Sequence, residues 1–273
     1  VIYIIFGIPG TGKTCFLTHM AVTTAFDRGR WRSMQSEIMN KKLSGFDNLK
    51  TIPNNCVSAN FDLTMRKFGY TPRHNRRINP YRLGFANKYV DTHFNLPYEA
   101  IFVTEAQKYL DSHLAMYFPR WQSSWYEQHR HNDIDIWLDT QRPMLINANV
   151  REISQFIEIV NLDVDYDIFG KPCRLTWNIR RIPNSSMYDK YMSSGQKDSS
   201  CYIDDVVVAN YNVFDCYDSQ SCKPKFYDGH FKDDFDYDQV ELTDDSLEGY
   251  IKYVKAYDDE MPDNYLIKRG KSA

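Results

Sequence analysis

What the chain lacks narrows it first. None of its 273 residues belongs to an apolar stretch approaching the roughly 18 that would span a bilayer. No basic leader runs into an apolar core with a small-residue cleavage site, so no secretory signal peptide is read. The six cysteines (Cys15, Cys56, Cys173, Cys201, Cys216 and Cys222) form no Cys-x-x-Cys pair. That spacing argues against a disulfide framework or a zinc site and for a reducing, cytoplasmic compartment. No internal repeats are found in the chain.

What is present is an ordinary globular share of apolar residues, enough for one large domain or a core with an appendage, with 20 Tyr and 16 Phe. The formal net charge of −3 hides an asymmetry. Residues 26–90 hold 13 Lys/Arg against 4 Asp/Glu, whereas residues 201–273 hold 8 against 17. The basic stretch "RKFGYTPRHNRR" (Arg66 to Arg77) suits either a surface that tracks single-stranded DNA or a solvated loop.

The first 22 residues, "VIYIIFGIPGTGKTCFLTHMAV", carry the strongest signal. Val1 to Phe6 is β-branched and aromatic without polar alternation, which suits a strand buried on both faces. Gly7, Gly12, Lys13 and Thr14 match G-x-x-x-x-G-K-[ST], and helical spacing resumes with Phe16, Leu17, Met20 and Ala21. Strand, glycine loop and helix N-terminus in that order make a phosphate cradle from Gly7, Ile8, Pro9, Gly10, Thr11, Gly12, Lys13, Thr14 and Cys15. Lys13 is expected on the β/γ-phosphates of ATP and the Thr14 hydroxyl on Mg²⁺. A turn without a ligand needs no Lys-Thr pair there.

Further strands are expected at Asn55–Leu63, Ala100–Thr104, Ile134–Gln141 and in "FIEIVN", alternating with helices. That alternation predicts an α/β fold with a doubly wound, mainly parallel sheet flanked by helices. Past residue 162, "CRLTWNIRRI" and "DDVVVANYNVF" predict a small antiparallel extension. An acidic stretch from Tyr227, with one amphipathic helix near Leu247–Tyr257, follows. The expected division is a P-loop ATPase core at 1–183 and a C-terminal extension, acidic and partly irregular, at 184–273.

"AIFVTEAQ" (Ala100 to Gln107) is the candidate partner strand. Four apolar residues end in Thr104-Glu105, where ATPases of the additional-strand class show Asp-Glu. Glu105 is then the general base, or an acid that merely favours a helix N-terminus. Thr104 can hold a metal-bound water but carries no charge, which puts hydrolysis in question. "IDIWLDTQ" (Ile134 to Gln141) ends in Thr140-Gln141, and Gln141 can donate to a phosphate oxygen while accepting from water; a helix-capping Thr with a solvent-facing Gln is the other reading. Arg130, Arg142 and Arg151 are each either a surface or salt-bridging arginine or a candidate arginine finger, with Arg151 put first only by the family pattern given next.

Together, "GIPGTGKT", "VTEAQKYL", "WYEQHRHNDIDIWLDTQ", "NVREISQFIEIV" and "VFDCYDS" resemble, in this order, the zonula occludens toxin-like family, which includes the assembly ATPases of filamentous phages. The resemblance spans residues 1–220. It implies a RecA-like ATPase domain on the cytoplasmic face of the host inner membrane, driving export of single-stranded phage DNA. Lys13 and Thr14 then bind ATP and Mg²⁺ with Thr104 beside them, Glu105 is the base and Gln141 the γ-phosphate sensor. It also implies a ring-shaped homo-oligomer, phage coat and assembly proteins as partners, and a membrane segment absent from this chain. The basic end, Lys268-Arg269 and Lys271, would suit the cytoplasmic flank of such a segment, so the chain is expected to be a piece of a longer protein. Two other functions stay open: a nucleotide-binding scaffold with little hydrolysis, prompted by Thr104, and a P-loop kinase.

Overall fold

Strand β1 (Ile2–Phe6) sets the plan of the molecule. Ile2, Ile4 and Phe6 point to one hydrophobic cluster and Ile5 to another on the opposite face, as a strand's twofold side-chain period requires. The computed structural model of the chain describes residues 1–40, 57–61, 63, 75–77, 80, 83, 99–113, 118 and 120–217. Within them one sheet of eight strands runs in the order β3-β2-β4-β5-β1-β6-β7-β8. The strands are β2 (Val57–Ala59), β3 (Asn75–Arg77), β4 (Ala100–Val103), β5 (Asp135–Asp139), β6 (Gln155–Tyr166), β7 (Pro172–Ile182) and β8 (Ile203–Asn210). Pairings from β3 across to β6 are parallel, and β6-β7 and β7-β8 are antiparallel. The mainly parallel α/β sheet with antiparallel strands at its C-terminal end is the fold expected from the sequence.

Helices cover both faces. On one lies α1 (Lys13–Ala25), burying Cys15, Phe16, Leu17, Ala21, Val22 and Ala25. Trp125 and Tyr126 of α3 (Arg120–Gln128), Val150 of α4 (Ala148–Glu152) and Tyr188 and Tyr191 of α5 (Ser185–Ser193) pack on the other. Helix α2 (Arg28–Asn40) follows α1 and is pinned to the start of β5 by the ion pair Arg30–Asp135. The high aromatic content has a structural use. Trp137 stacks on Tyr3 of β1, centroids 4.1 Å apart, and on Phe102 of β4 at 6.0 Å, so one indole ties three parallel strands.

Several elements depart from the sequence-based expectations. The strand predicted as "FIEIVN" runs on to Tyr166, because its far half pairs with β7 as a long hairpin after it has left β1. A 3₁₀ turn, Ala106–Lys108, follows Glu105 directly. Where the alternation of strands with helices calls for one helix between β5 and β6, there are two short pieces: a 3₁₀ turn at Pro143–Leu145, then α4, whose N-terminus is capped by the Asn147 side chain on the Asn149 N–H. Helix α5 and strand β3 have no counterpart in the expectations. The expected division at residue 183 falls between β7 and α5, yet β8 is hydrogen-bonded into the same sheet and α5 packs into the same core. Apart from β3, the basic stretch 66–77 lies outside the described residues. So do the acidic stretch from Tyr227 and the helix expected at Leu247–Tyr257. Among the described residues no helix is long and apolar enough to cross a membrane.

The segment leading into β5 illustrates how burial governs charge. His129 is 2% exposed, with Nδ1 2.6 Å from the Tyr126 carbonyl. Burial pushes its pKa down to about 4, against the smaller opposing effect of that carbonyl. The unfolded chain therefore takes up this proton first as pH falls from about 6.5. Stability contributed by neutral His129 is complete above that value and is lost on the way to pH 4, at a cost of about 3 kcal/mol. Urea titrations should show this slope, and His129→Asn, which can still donate to the Tyr126 carbonyl, should flatten it. An unchanged slope in the variant would refute the assignment.

Candidate functional site

Because β1, β5, β4 and β2 are parallel neighbours, their C-terminal ends form one sheet edge. The residues just beyond them, Gly7, Thr140, Thr104 and Asn60, are thereby brought side by side although they are far apart in sequence. Ligands of open α/β sheets bind at this edge.

The glycine loop occupies the β1 end. Ile8, Pro9 and Gly10 are exposed, while Thr11 is buried with its hydroxyl donating to the Ile8 carbonyl at 2.9 Å. Gly7, Gly10 and Gly12 have φ of 157°, 88° and 75°. Gly12 precedes α1, no side chain caps that helix, and its first turn has no acidic residue. Its leading N–H groups and its positive dipole end are thus left for an anion. The Lys13 ammonium folds back onto the loop, donating to the Gly7 and Ile8 carbonyls at 3.0 and 3.1 Å. Burial lowers its pKa, and the carboxylates of Asp139 and Glu105 oppose that shift. Cys15 turns into the core, where burial lifts its thiol to about 12, so it can offer a ligand only its backbone.

Three oxygen-bearing side chains meet beside the loop. Thr14 Oγ1 donates to Asp139 Oδ2 at 3.2 Å, and Thr104 Oγ1 donates to the same oxygen at 3.0 Å. The two hydroxyls are 3.4 Å apart. The Glu105 N–H donates to Asp139 Oδ1 at 2.7 Å. Asp139 is 2% exposed, and burial raises its pKa to about 6, against the three donors that favour the anion. Thr104 is held from behind by Asn60, whose amide bonds both its N–H (2.8 Å) and its carbonyl (3.0 Å).

Glu105 adopts the left-handed conformation (φ 54°), an uncommon one for a side-chain-bearing residue. Its carboxylate accepts from Gln107 Nε2 at 2.5 Å and lies 3.9 Å from Lys108. Strain of this sort, on the order of 1–3 kcal/mol, persists where surrounding bonds enforce it. Here the Asp139 bond to the Glu105 N–H does so.

The structure therefore brings together Lys13, Thr14, Thr104 and Glu105 of the residues singled out in the sequence. Gln141 is exposed, two residues beyond Asp139 at the tip of β5. Arg151 is half-buried on α4, its guanidinium donating to the Ile146 carbonyl at 3.1 Å. Arg130, Arg142 and His131 are exposed. Asp139 and Asn60 were not singled out. The signal for Asp139 was an acid closing the apolar run of "IDIWLDTQ", because a carboxylate at the end of a buried strand needs donors or a cation. For Asn60 it was a lone amide after "VSA".

Among the described residues no group of three or more His, Cys, Asp and Glu could cage a metal unaided. The Thr14, Thr104 and Asp139 oxygens are instead an all-oxygen set with one carboxylate. Such a set fits Mg²⁺, which keeps several waters and is held by one or two carboxylates plus substrate phosphates.

No protein-family model matches the chain, and no curated protein matches it in sequence. Solved structures do. The N-terminal domain of zonular occludens toxin from Neisseria meningitidis is similar, at 18% identity and a TM-score of 0.45, over 80% of this chain and 98% of that one. The DNA-packaging ATPase B204 of Sulfolobus turreted icosahedral virus is similar at 14% identity and 0.35, over 62% and 78%. The genome-packaging NTPase B204 of Sulfolobus turreted icosahedral virus 2, in complex with ATP-gammaS, is similar at 11% and 0.35, over 68% and 93%.

Proposed function

We propose that this chain is an ATP-binding and ATP-hydrolysing motor domain. One observation carries the reading: a Lys-Thr glycine loop whose Thr14 hydroxyl lies within hydrogen-bond distance of Asp139 at the tip of β5 and of Thr104 just past β4, with Glu105 directly after Thr104. Loop N–H groups and Lys13 receive the phosphates. Glu105 orients the attacking water and accepts its proton, for which its carboxylate must leave Gln107 and Lys108. Gln141, at the free end of β5, responds to the γ-phosphate. Thr14 and Thr104 would hold Mg²⁺, directly or through water, and the chemistry it would supply is charge neutralisation of the phosphates.

The scaffold alternative was prompted by the uncharged Thr104, but a buried carboxylate lies 3.0 Å from that hydroxyl. The sequence resemblance supplies the setting of the proposal: filamentous phage assembly at the host inner membrane and export of single-stranded DNA. In that setting the chain acts in a ring of copies, with Arg151 reaching a neighbour's nucleotide.

Phosphate release from ATP is the test. The protein should release phosphate with no added acceptor, which also separates a motor from a kinase. Glu105→Gln should lower turnover about a hundredfold, the usual contribution of a general base, while ATP affinity stays within about threefold. Full activity in that variant would remove Glu105 from the mechanism. Undetectable release by the parent would favour the scaffold.

A further inference from the structure

The acid missing at the end of β4 has a counterpart one strand away. Strand β5 is hydrogen-bonded between β1 and β4, with Ile5 opposite Asp139 and Val103 opposite Leu138. Its last residue therefore comes to rest between the phosphate loop and Thr104. A single oxygen of Asp139 receives both the Thr14 and the Thr104 hydroxyls. Its other oxygen receives the N–H of the proposed base, Glu105. Asn60 fixes the Thr104 backbone from the far side.

We infer that Asp139 is the metal-site carboxylate of this nucleotide site. The charge expected on β4 has moved to β5, and Thr104 is its hydroxyl companion. The inference rests on the ATP-binding reading above and adds to it the residue that makes binding depend on magnesium. Two features of the geometry support it. Asp139 is the carboxylate bonded to the Thr14 hydroxyl, the group a metal at a phosphate loop requires. Its Oδ2 partners are both hydroxyls, which can turn to accept from metal-bound water instead of donating to Asp139, so the carboxylate can be freed without a backbone change. The same contacts let Asp139 position Glu105: a shift of its carboxylate is felt at the Glu105 N–H 2.7 Å away.

Binding of a fluorescent ATP analogue, measured with Mg²⁺ and with EDTA, tests the assignment without reference to turnover. The parent should bind at least about tenfold more tightly with Mg²⁺, an increment near 1.4 kcal/mol. Asp139→Asn keeps the shape and one acceptor oxygen but removes the charge. It should lose that increment, with its affinity in EDTA unchanged or raised. The exchanged pair Thr104→Asp/Asp139→Thr, which returns the acid to β4, should restore the increment. An Asp139→Asn protein that keeps the full Mg²⁺ increment overturns the inference and leaves Asp139 as a structural anchor of Glu105. A parent that binds no nucleotide in either buffer overturns the ATP reading itself, and this inference with it. If Asp139→Asn does not fold, crystals of the parent with Mn²⁺ and ADP decide the matter by anomalous scattering. Manganese within about 5 Å of an Asp139 oxygen, directly or through one water, supports the inference, and a greater distance rejects it.

Discussion

Lys13→Ala is expected to lower kcat/KM for ATP about a thousandfold, close to 4 kcal/mol of transition-state stabilisation. The ammonium is half-buried at the head of α1, next to the loop's open N–H groups. Its two present partners, the Gly7 and Ile8 carbonyls, accept it at 3.0 and 3.1 Å and can be exchanged for phosphate oxygens without moving the helix. Phosphate oxygens carry a negative charge that the carbonyls lack, so the exchange adds ion-pair attraction and favours the ligand. The fold should hardly notice the loss. Ile8 is 71% exposed, so water can take over at its carbonyl, and the unfolding free energy should change by less than about 1 kcal/mol. Nucleotide titration and urea unfolding of the same variant separate the two effects. A variant that binds ATP within threefold of the parent would show that the loop is not a phosphate cradle.

Gly7→Ala should fail for a different reason, and at the level of folding. A Cβ on Gly7 would sit 2.7 Å from the Ile159 carbonyl oxygen and 3.0 Å from Thr11 Oγ1. The first obstacle is backbone of the neighbouring strand β6, which cannot swing aside as a side chain can. Added to this is a φ of 157°, unfavourable for an alanine. Overpacking and backbone strain together should cost about 3–5 kcal/mol. Gly10→Ala is the control. Its φ of 88° is also left-handed, yet nothing lies within 4 Å of the added Cβ, so only strain of about 1–2 kcal/mol applies. Chemical denaturation should therefore rank Gly7→Ala well below Gly10→Ala. Equal stabilities would mean that β6 does not press on the loop as the structure shows.

Much of this architecture was legible in the residues. Val1 to Phe6 and Ala100 to Val103 are short apolar runs and Ile134 to Leu138 is apolar but for Asp135; each is followed by loop chemistry, and all three are parallel strands. Their chemistry-bearing residues follow directly in the chain, which is why Lys13, Thr14, Thr104 and Glu105 could be named before the fold was known. Helix α5 was harder. Its packing face is tyrosine, with Tyr188 stacked on Phe156 at 4.4 Å, so its buried side did not present as an aliphatic stripe. The long β6-β7 hairpin was underestimated because past Ile159 its residues are largely polar or half-exposed. Its stability there comes from pairing with β7, which a local pattern does not display.

By itself the sequence determined the glycine loop and the short apolar strands β1, β4 and β5, since each depends on neighbouring residues and a short period. Which strand stands next to which was decided only in the tertiary structure. Placing β5 between β1 and β4 put Asp139 against Thr14, 125 residues away, and against Thr104, 35 residues away. The Asn60 brace on Thr104 spans 44 residues and has the same origin. Lateral order in a sheet is set by burial of both faces and by backbone hydrogen bonds between distant segments. For that reason the site appears one charge short along the chain, whereas in the folded protein a carboxylate stands beside Thr104.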